Sequence, residues 1–177
     1  MEQRLCLLHA CKNAPAFDIY DNGTLLISKL RLYEHSEYIS IFPGTHKITV
    51  YVAGTSRNPI ISKLFRIFPG TSTTITVDGC VQTISMHKFK MPEEKYFLNR
   101  SLVRCANLTD QSSTIILDGK RNLFQHVPAQ KSTAYKSIFC GEHNFSSNTL
   151  ELSAQTEINK SYTIYVLEDK LIFIPQP

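Results

Sequence analysis

The ten residues YISIFPGTHK at 38–47 return as YKSIFCGEHN at 135–144. Six of the ten positions are identical: Tyr, Ser, Ile, Phe, Gly and His. Two arbitrary windows do not agree that far by chance, so an internal repeat constrains this chain before any propensity does. The neighbourhood repeats in the same order. DNGTLL (21–26) precedes the first copy as DGKRNL (118–123) precedes the second, each a turn signal opening a partly apolar run. RLCLLHA (4–10) matches RSLVRCAN (100–107) in pattern, and TSTTITV (71–77) matches KSYTIYV (160–166). Gly23 and Gly119 are 96 residues apart, Gly44 and Gly141 are 97 apart, and one single-residue gap reconciles the halves. The chain reads as a tandem: a first domain at 1–90, a divergent second at 100–177, and a charged segment with Pro92 at 91–99 as linker.

Two units of roughly 80–90 residues fit a chain of 177. A hydrophobic content of 42% with 19% charged residues argues against disorder. The net charge of +4 is spread without any run of five basic residues, which gives no case for nucleic acid. No apolar run approaches the roughly 20 residues of a transmembrane helix. MEQRLCLLHACK lacks a basic stretch followed by a long apolar core, so no secretory signal is read and cytoplasmic synthesis is expected. Cys6, Cys11, Cys80, Cys105 and Cys140 are odd in number and without CxxC spacing. Reduced thiols are expected, with neither a metal site nor a cofactor.

The apolar period is two in the informative stretches. In KITVYVA, Ile48, Val50 and Val52 share one face and Thr49 and Tyr51 the other; in STTITV the inward set is Thr73, Ile75 and Val77. Turn signals recur every eight to twelve residues, and Asp78-Gly79 predicts a two-residue hairpin. Short strands at that spacing, with no helical period, predict an all-β fold: two tandem β-sandwich domains, immunoglobulin-like or transthyretin-like. In this reading YISIF and YKSIF are strands that build the core, and Gly44 and Gly141 turn the chain after them.

LLHACKNAPAFDIYDNG (7–23), EYISIFPGTHKITVYVAGT (37–55) and FPGTSTTITVDG (68–79) carry a likeness. They resemble a bacterial and archaeal family known as domain of unknown function 4397. His9-Ala10, Ala14-Pro15, Asp18, Tyr20, Gly23, Tyr38, Gly44-Thr45, Ala53-Gly54-Thr55 and Gly70 fall on its pattern, while Cys11-Lys12 departs from its Ser-Pro. The second half keeps Asp118-Gly119, Tyr135, Gly141 and Tyr162-Thr163. The resemblance implies a β-sandwich, often in tandem and often on surface or secreted proteins, and no established reaction.

His9 and Asp18 are the residues that adjacent strands would bring together as an acid–base or metal pair. The plainer reading makes Asp18 a hydrogen-bond acceptor at a strand corner. His46 and His143 occupy equivalent places and read as strand-edge residues. Cys11, read as a loop cysteine beside His9 and Lys12, is a weak nucleophile candidate. Tyr33, Tyr51, Tyr96 and Tyr165 are candidate exposed aromatics for stacking on sugars. Gly-x-Ser-x-Gly, phosphate-loop and His-Glu-x-x-His patterns do not occur. The expected function is non-enzymatic: a structural or protein-interaction module, placed on an envelope layer such as that of a bacterial endospore. Its partners would be other proteins or an envelope polymer, and carbohydrate or cell-wall binding is the alternative. The apolar strands TIILDG and KLIFIP, taken as edges, lead to an expected homo-oligomer.

Overall fold

A computed structural model describes residues 3–90 and 99–177. They divide into two compact units, Met1–Glu93 and Glu94–Pro177. The expected linker at 91–99 falls almost wholly outside the described residues. Among the described residues there are strands and turns and no helix.

Among its described residues the first unit has eight strands: β1 (Arg4–Lys12), β2 (Phe17–Asp21), β3 (Thr24–Leu30), β4 (Ile39–Ser40), β5 (Gly44–Val52), β6 (Ile61–Ile67), β7 (Ser72–Cys80) and β8 (Ser85–Lys90). They form two four-stranded sheets, β4-β1-β7-β8 and β3-β2-β5-β6. The second unit repeats the plan with β9 (Arg100–Asn107), β10 (Ser113–Leu117), β11 (Arg121–Val127), β12 (Lys136–Phe139), β13 (Gly141–Ser147), β14 (Leu150–Thr156), β15 (Ser161–Val166) and β16 (Leu171–Pro175). Its sheets are β12-β9-β15-β16 and β11-β10-β13-β14, the same order strand for strand. Each unit is a β-sandwich. An immunoglobulin sandwich keeps its first two strands in one sheet. Here β1 bonds β4 and β7 while β2 bonds β3 and β5, so the transthyretin-like alternative is the one that remains.

One core lies between the sheets of each unit. In the first, Leu5 and Leu7 of β1 and Ile75 and Val77 of β7 meet Phe17, Ile19, Ile48 and Val50 of the opposite sheet. In the second, Val103, Cys105, Ile164 and Val166 meet Ile115, Leu117 and Phe145. Each such side chain, moved from water to full burial, contributes about 2 kcal/mol. The parallel pair β1–β7 is buried on both faces: Cys6, Leu8, Thr74, Thr76 and Asp78 of the outer face are as buried as the core residues. That is why Leu5–Leu8 runs apolar without a break, where a half-wet strand would alternate, and why burial continues through His9 to Cys11.

Four expectations need correcting. Asp78-Gly79 is not a turn. Both residues lie in β7, Asp78 pairs with Ser85, and the chain reverses at 80–83, where Thr83 N–H donates to Cys80 O at 2.9 Å. Gly79 (φ +90°) is required because a Cβ there would stand 2.3 Å from Thr83 O. YISIF is strand only at Ile39–Ser40, and Phe42 is 86% exposed, as Phe139 is 66% exposed, so the repeat does not bury its phenylalanine. TIILDG supplies β10, an interior strand; of the two segments KLIFIP alone supplies an edge strand, β16. Tyr165 is fully buried, because the outer face of β15 is covered like that of β7.

Candidate functional sites

His9 sits on the inward face of β1, fully buried, its ring stacked on Phe17 with centroids 4.0 Å apart and planes 11° from parallel. Nδ1 accepts from Cys11 N–H at 3.2 Å, which leaves the ring proton on Nε2, and that nitrogen donates to Pro15 O at 3.0 Å. Burial pushes its pKa below the ordinary imidazole value, outweighing the hydrogen bond to Pro15. Asp18 is engaged elsewhere: its two oxygens accept Lys29 N–H at 2.8 Å and Gly54 N–H at 2.7 Å. The pair that strand adjacency suggested is thus two separate corner fixtures.

Cys11 is not in a loop. It is the penultimate residue of β1, fully buried, with its thiol pushed up to about 11 by desolvation first and by Cys80 and Asp78 after that. Cys6 and Cys105 are pushed up to about 12 by burial. None of these three is a thiolate at neutral pH. Tyr33 is part-buried at φ 68°, its N–H donating to His9 O at 2.8 Å; Tyr51 is part-buried edge-on to Tyr20 at 5.2 Å. Tyr96 lies outside the described residues. Tyr33, Tyr51 and Tyr165 do not make an exposed stacking face; among the described residues the large exposed aromatics are Phe42, Phe68 and Phe139.

The repeated histidines have a role that position alone did not reveal. His46 Nδ1 stands 2.8 Å from Asp21 Oδ2, and its Nε2 stands 2.8 Å from Phe42 O. His143 stands 2.9 Å from Asp118 Oδ2 and 2.8 Å from Phe139 O. Each ring bridges the β2–β3 turn, or its counterpart, to the backbone just before the glycine that begins the next strand. In the first unit Asn22 Oδ1 separately accepts Lys47 N–H at 3.0 Å. In the second, Asp118 does both jobs, its Oδ1 accepting Asn144 N–H at 2.9 Å. Those contacts, the Asn144 N–H first and His143 second, hold the Asp118 carboxyl below its usual value. The decamer is therefore kept for its histidine clasp and its tyrosine. Tyr38 and Tyr135 lie over the outer face of the parallel pair, with hydroxyls 2.9 Å from Thr74 Oγ1 and 2.8 Å from Gln176 Oε1.

A third cluster was not legible in advance. Asp78, fully buried, accepts from Thr76 Oγ, from Ser85 Oγ at 2.7 Å and from His87 Nδ1 at 3.0 Å. Its partners on β8 follow seven and nine residues later, beyond the turn, so no linear motif announces them. Among the described residues no group of three or more potential metal ligands converges. The second unit has a cleft of about 360 Å³, lined by Thr109–Ser113, Ser147–Leu150 and Val166–Glu168. Its walls carry hydroxyls, amides and the carboxylates of Asp110 and Glu168, without an aromatic platform.

The model of a family described as "Domain of unknown function (DUF4397)" matches residues 4–115, running through the first unit into β9 and β10. No curated protein matches the sequence. Among solved structures, one titled "The Bacillus anthracis TIE protein" is similar at 12% identity and a TM-score of 0.29, over 96% of this chain and 34% of that one. The chain thus spans about a third of the length of that structure.

Proposed function

The chain belongs to the family of domain of unknown function 4397, and from that premise we propose that it is a non-enzymatic structural or protein-interaction module. One observation carries the reading: the histidines and carboxylates that would do chemistry are committed to holding the fold. His9, Asp18, Asp21 with His46, Asp118 with His143 and Asp78 with His87 each fix a turn, a corner or a strand extension. A sandwich held by such contacts is a rigid presenting scaffold. An envelope layer, that of an endospore included, is the proposed place of deposition, and pairing through the β16 edge the proposed route to a homo-oligomer. A fluorescent fusion followed through growth and sporulation tests the location, and signal that stays diffuse in the cytosol throughout disposes of it.

Binding of a cell-wall polymer is the second reading, favoured by the hydroxyl-, amide- and carboxylate-lined cleft of the second unit. Retention on peptidoglycan, chitin or cellulose that is lost on Asp110→Ala would promote it. No retention on any of the three removes it.

A further inference from the structure

The cleft of the second unit lies where β9 ends at Asn107, away from Arg100, at which β9 begins. All its walls come from the second unit. Two of its lining residues are serines that the fold does not use. Ser113 is 6% and Ser147 1% exposed, yet neither hydroxyl has a hydrogen-bond partner among the described residues. Neither oxygen is sealed inside the protein, so both open on the cleft. A hydroxyl so nearly buried forfeits free energy unless something supplies it with a partner.

Asp110 is the third such group. The loop that carries it turns its other polar atoms inward onto Asn107. Asn107 Oδ1 accepts Thr109 N–H at 3.0 Å and Thr109 Oγ1 at 2.8 Å, and Nδ2 donates to Gln111 O at 2.6 Å. The loop is thus fixed before any ligand arrives, and the exposed Asp110 carboxylate makes no hydrogen bond or ion pair among the described residues. Glu168 also lines the cleft but has contacts of its own, as do Asp169 and Lys170 beyond it, so none of these three is free. Lys131 reaches this end through its carbonyl, which accepts Asn107 N–H at 2.9 Å, and does not line the cleft. Among the described residues no Lys, Arg or His lines it. In the first unit Lys12 stands three residues past His9, where Asp110 stands three past Asn107, so the charge belongs to this unit alone.

We propose that the cleft takes an amino sugar with a free amine, its ammonium on Asp110 and its hydroxyls on Ser113 and Ser147, as one unit of a de-N-acetylated polysaccharide. A carboxylate without a cation beside it repels anionic ligands and favours a cationic donor. The absence of an aromatic platform among the lining residues leaves a neutral pyranose without its usual stacking surface, so charge has to supply the difference. A lysine side chain would satisfy Asp110 but, as a donor only, would leave the protons of both serines without acceptors. Sugar hydroxyls donate and accept, as the serines do. The inference rests on the polymer-binding reading above and narrows it to a chemical class.

The test is retention of the full chain on chitin beads and on the same beads after de-N-acetylation, at slightly acid pH where the amines are protonated. The chain carries a net charge of +4, so attraction to a polycation has to be local to the cleft. Retention is expected on both, about fivefold tighter on the de-N-acetylated beads. Asp110→Asn is expected to abolish that difference. Ser113→Ala and Ser147→Ala are expected to weaken retention about fivefold each without lowering the urea midpoint, because the hydroxyls hold nothing in the fold. Equal retention on both beads, lost with Asp110→Ala, overturns the amine assignment and leaves the polymer reading standing. No retention on either bead overturns the proposal, and removes the polymer reading as well only if peptidoglycan and cellulose also fail. Binding to immobilised polylysine as tight as to the de-N-acetylated beads, and lost with Asp110→Asn, overturns it in favour of a basic peptide. Tight retention that none of the three substitutions weakens puts the polymer elsewhere on the molecule and overturns the site.

Discussion

The two units share one strand order but treat the end of the parallel pair differently. In the second, β15 stops at Val166 and the chain reverses through 167–170, where Leu167 N–H donates to Lys170 O at 2.9 Å. In the first, β7 continues through Asp78 and Gly79 before it reverses, and Asp78 occupies the place corresponding to Leu167. The longer hairpin thus rests on a buried carboxylate in the first unit, where an apolar side chain closes the second. An Asp-Gly step is a turn at 118–119 and strand at 78–79. Local turn chemistry decides only where tertiary partners do not, and Thr76, Ser85 and His87 are such partners.

The sharpest way to break this comparison is Asp78→Ala. It leaves two hydroxyls and a ring nitrogen without their buried acceptor, and about 3 kcal/mol of stability should be lost. Urea unfolding followed by far-ultraviolet circular dichroism measures it. Leu167→Ala should cost about 2 kcal/mol by cavity formation alone, with no dependence on the neighbouring polar groups. A loss below 1 kcal/mol for Asp78→Ala would show that the hairpin extension does not rest on the carboxylate.

The second comparison is between His9 and Asn107, which occupy corresponding places in β1 and β9. His9 accepts from Cys11 N–H and donates to Pro15 O. Asn107 accepts from Thr109 N–H at 3.0 Å and donates to Gln111 O at 2.6 Å. Two side chains of different shape thus make the same pair of bonds, one to the residue two ahead and one to the next loop. His9→Ala should cost about 2 kcal/mol, from two buried backbone groups left unpaired and the lost stacking on Phe17. His9→Asn should recover at least half of that in the same urea measurement. If it recovers nothing, the stacking on Phe17 outweighs the hydrogen bonds.

How far the sequence reaches can be argued from these residues. The tandem, the all-β class and the inward set Thr73, Ile75 and Val77 were legible, because duplication and a period of two are carried by neighbours in the chain. Tyr165 was misplaced because alternation presumes one wet face, and β15 has none. Phe42 and Phe139 were misplaced because an apolar residue at the end of a strand pattern reads as core when the chain has already turned outward. The histidine clasps were half visible: the repeat marked His46 and His143, but their carboxylates lie 25 residues away across the sheet.

Asp118 and the pair Asp21–Asn22 give the third and smaller test. Asp118→Ala removes the acceptor for both His143 and Asn144 N–H, whereas Asp21→Ala leaves Asn22 still holding Lys47 N–H. The Asp118 side chain is 46% exposed, so solvent screens the contact and its loss should cost about 0.5 kcal/mol. Because its folded pKa is lowered, the contribution is present above the ordinary carboxylate value and lost as pH falls through the lowered one. Unfolding of wild type and Asp118→Ala should therefore converge in acid and separate at neutral pH. A difference that stays constant down to the acid limit would mean that Asp118 acts by shape rather than by charge.

The smallest effect separates the units by pH alone. His9 is held neutral by burial, so its folded pKa lies below the ordinary 6.5, while the unfolded chain takes up a proton near that value. The unfolded state then binds more protons between the two values, and stability rises with pH across that window. The contribution is present in full above 6.5 and is lost as pH falls through the lowered folded value. Asn107 at the corresponding place has no proton to exchange. His9→Asn should therefore flatten the pH dependence of stability below 6.5, without changing its slope at higher pH. Urea midpoints measured at closely spaced pH values in wild type and His9→Asn check this. Superimposable curves would mean that His9 is protonated as readily in the fold as outside it, and that its ring is not held by Cys11 N–H as a neutral acceptor.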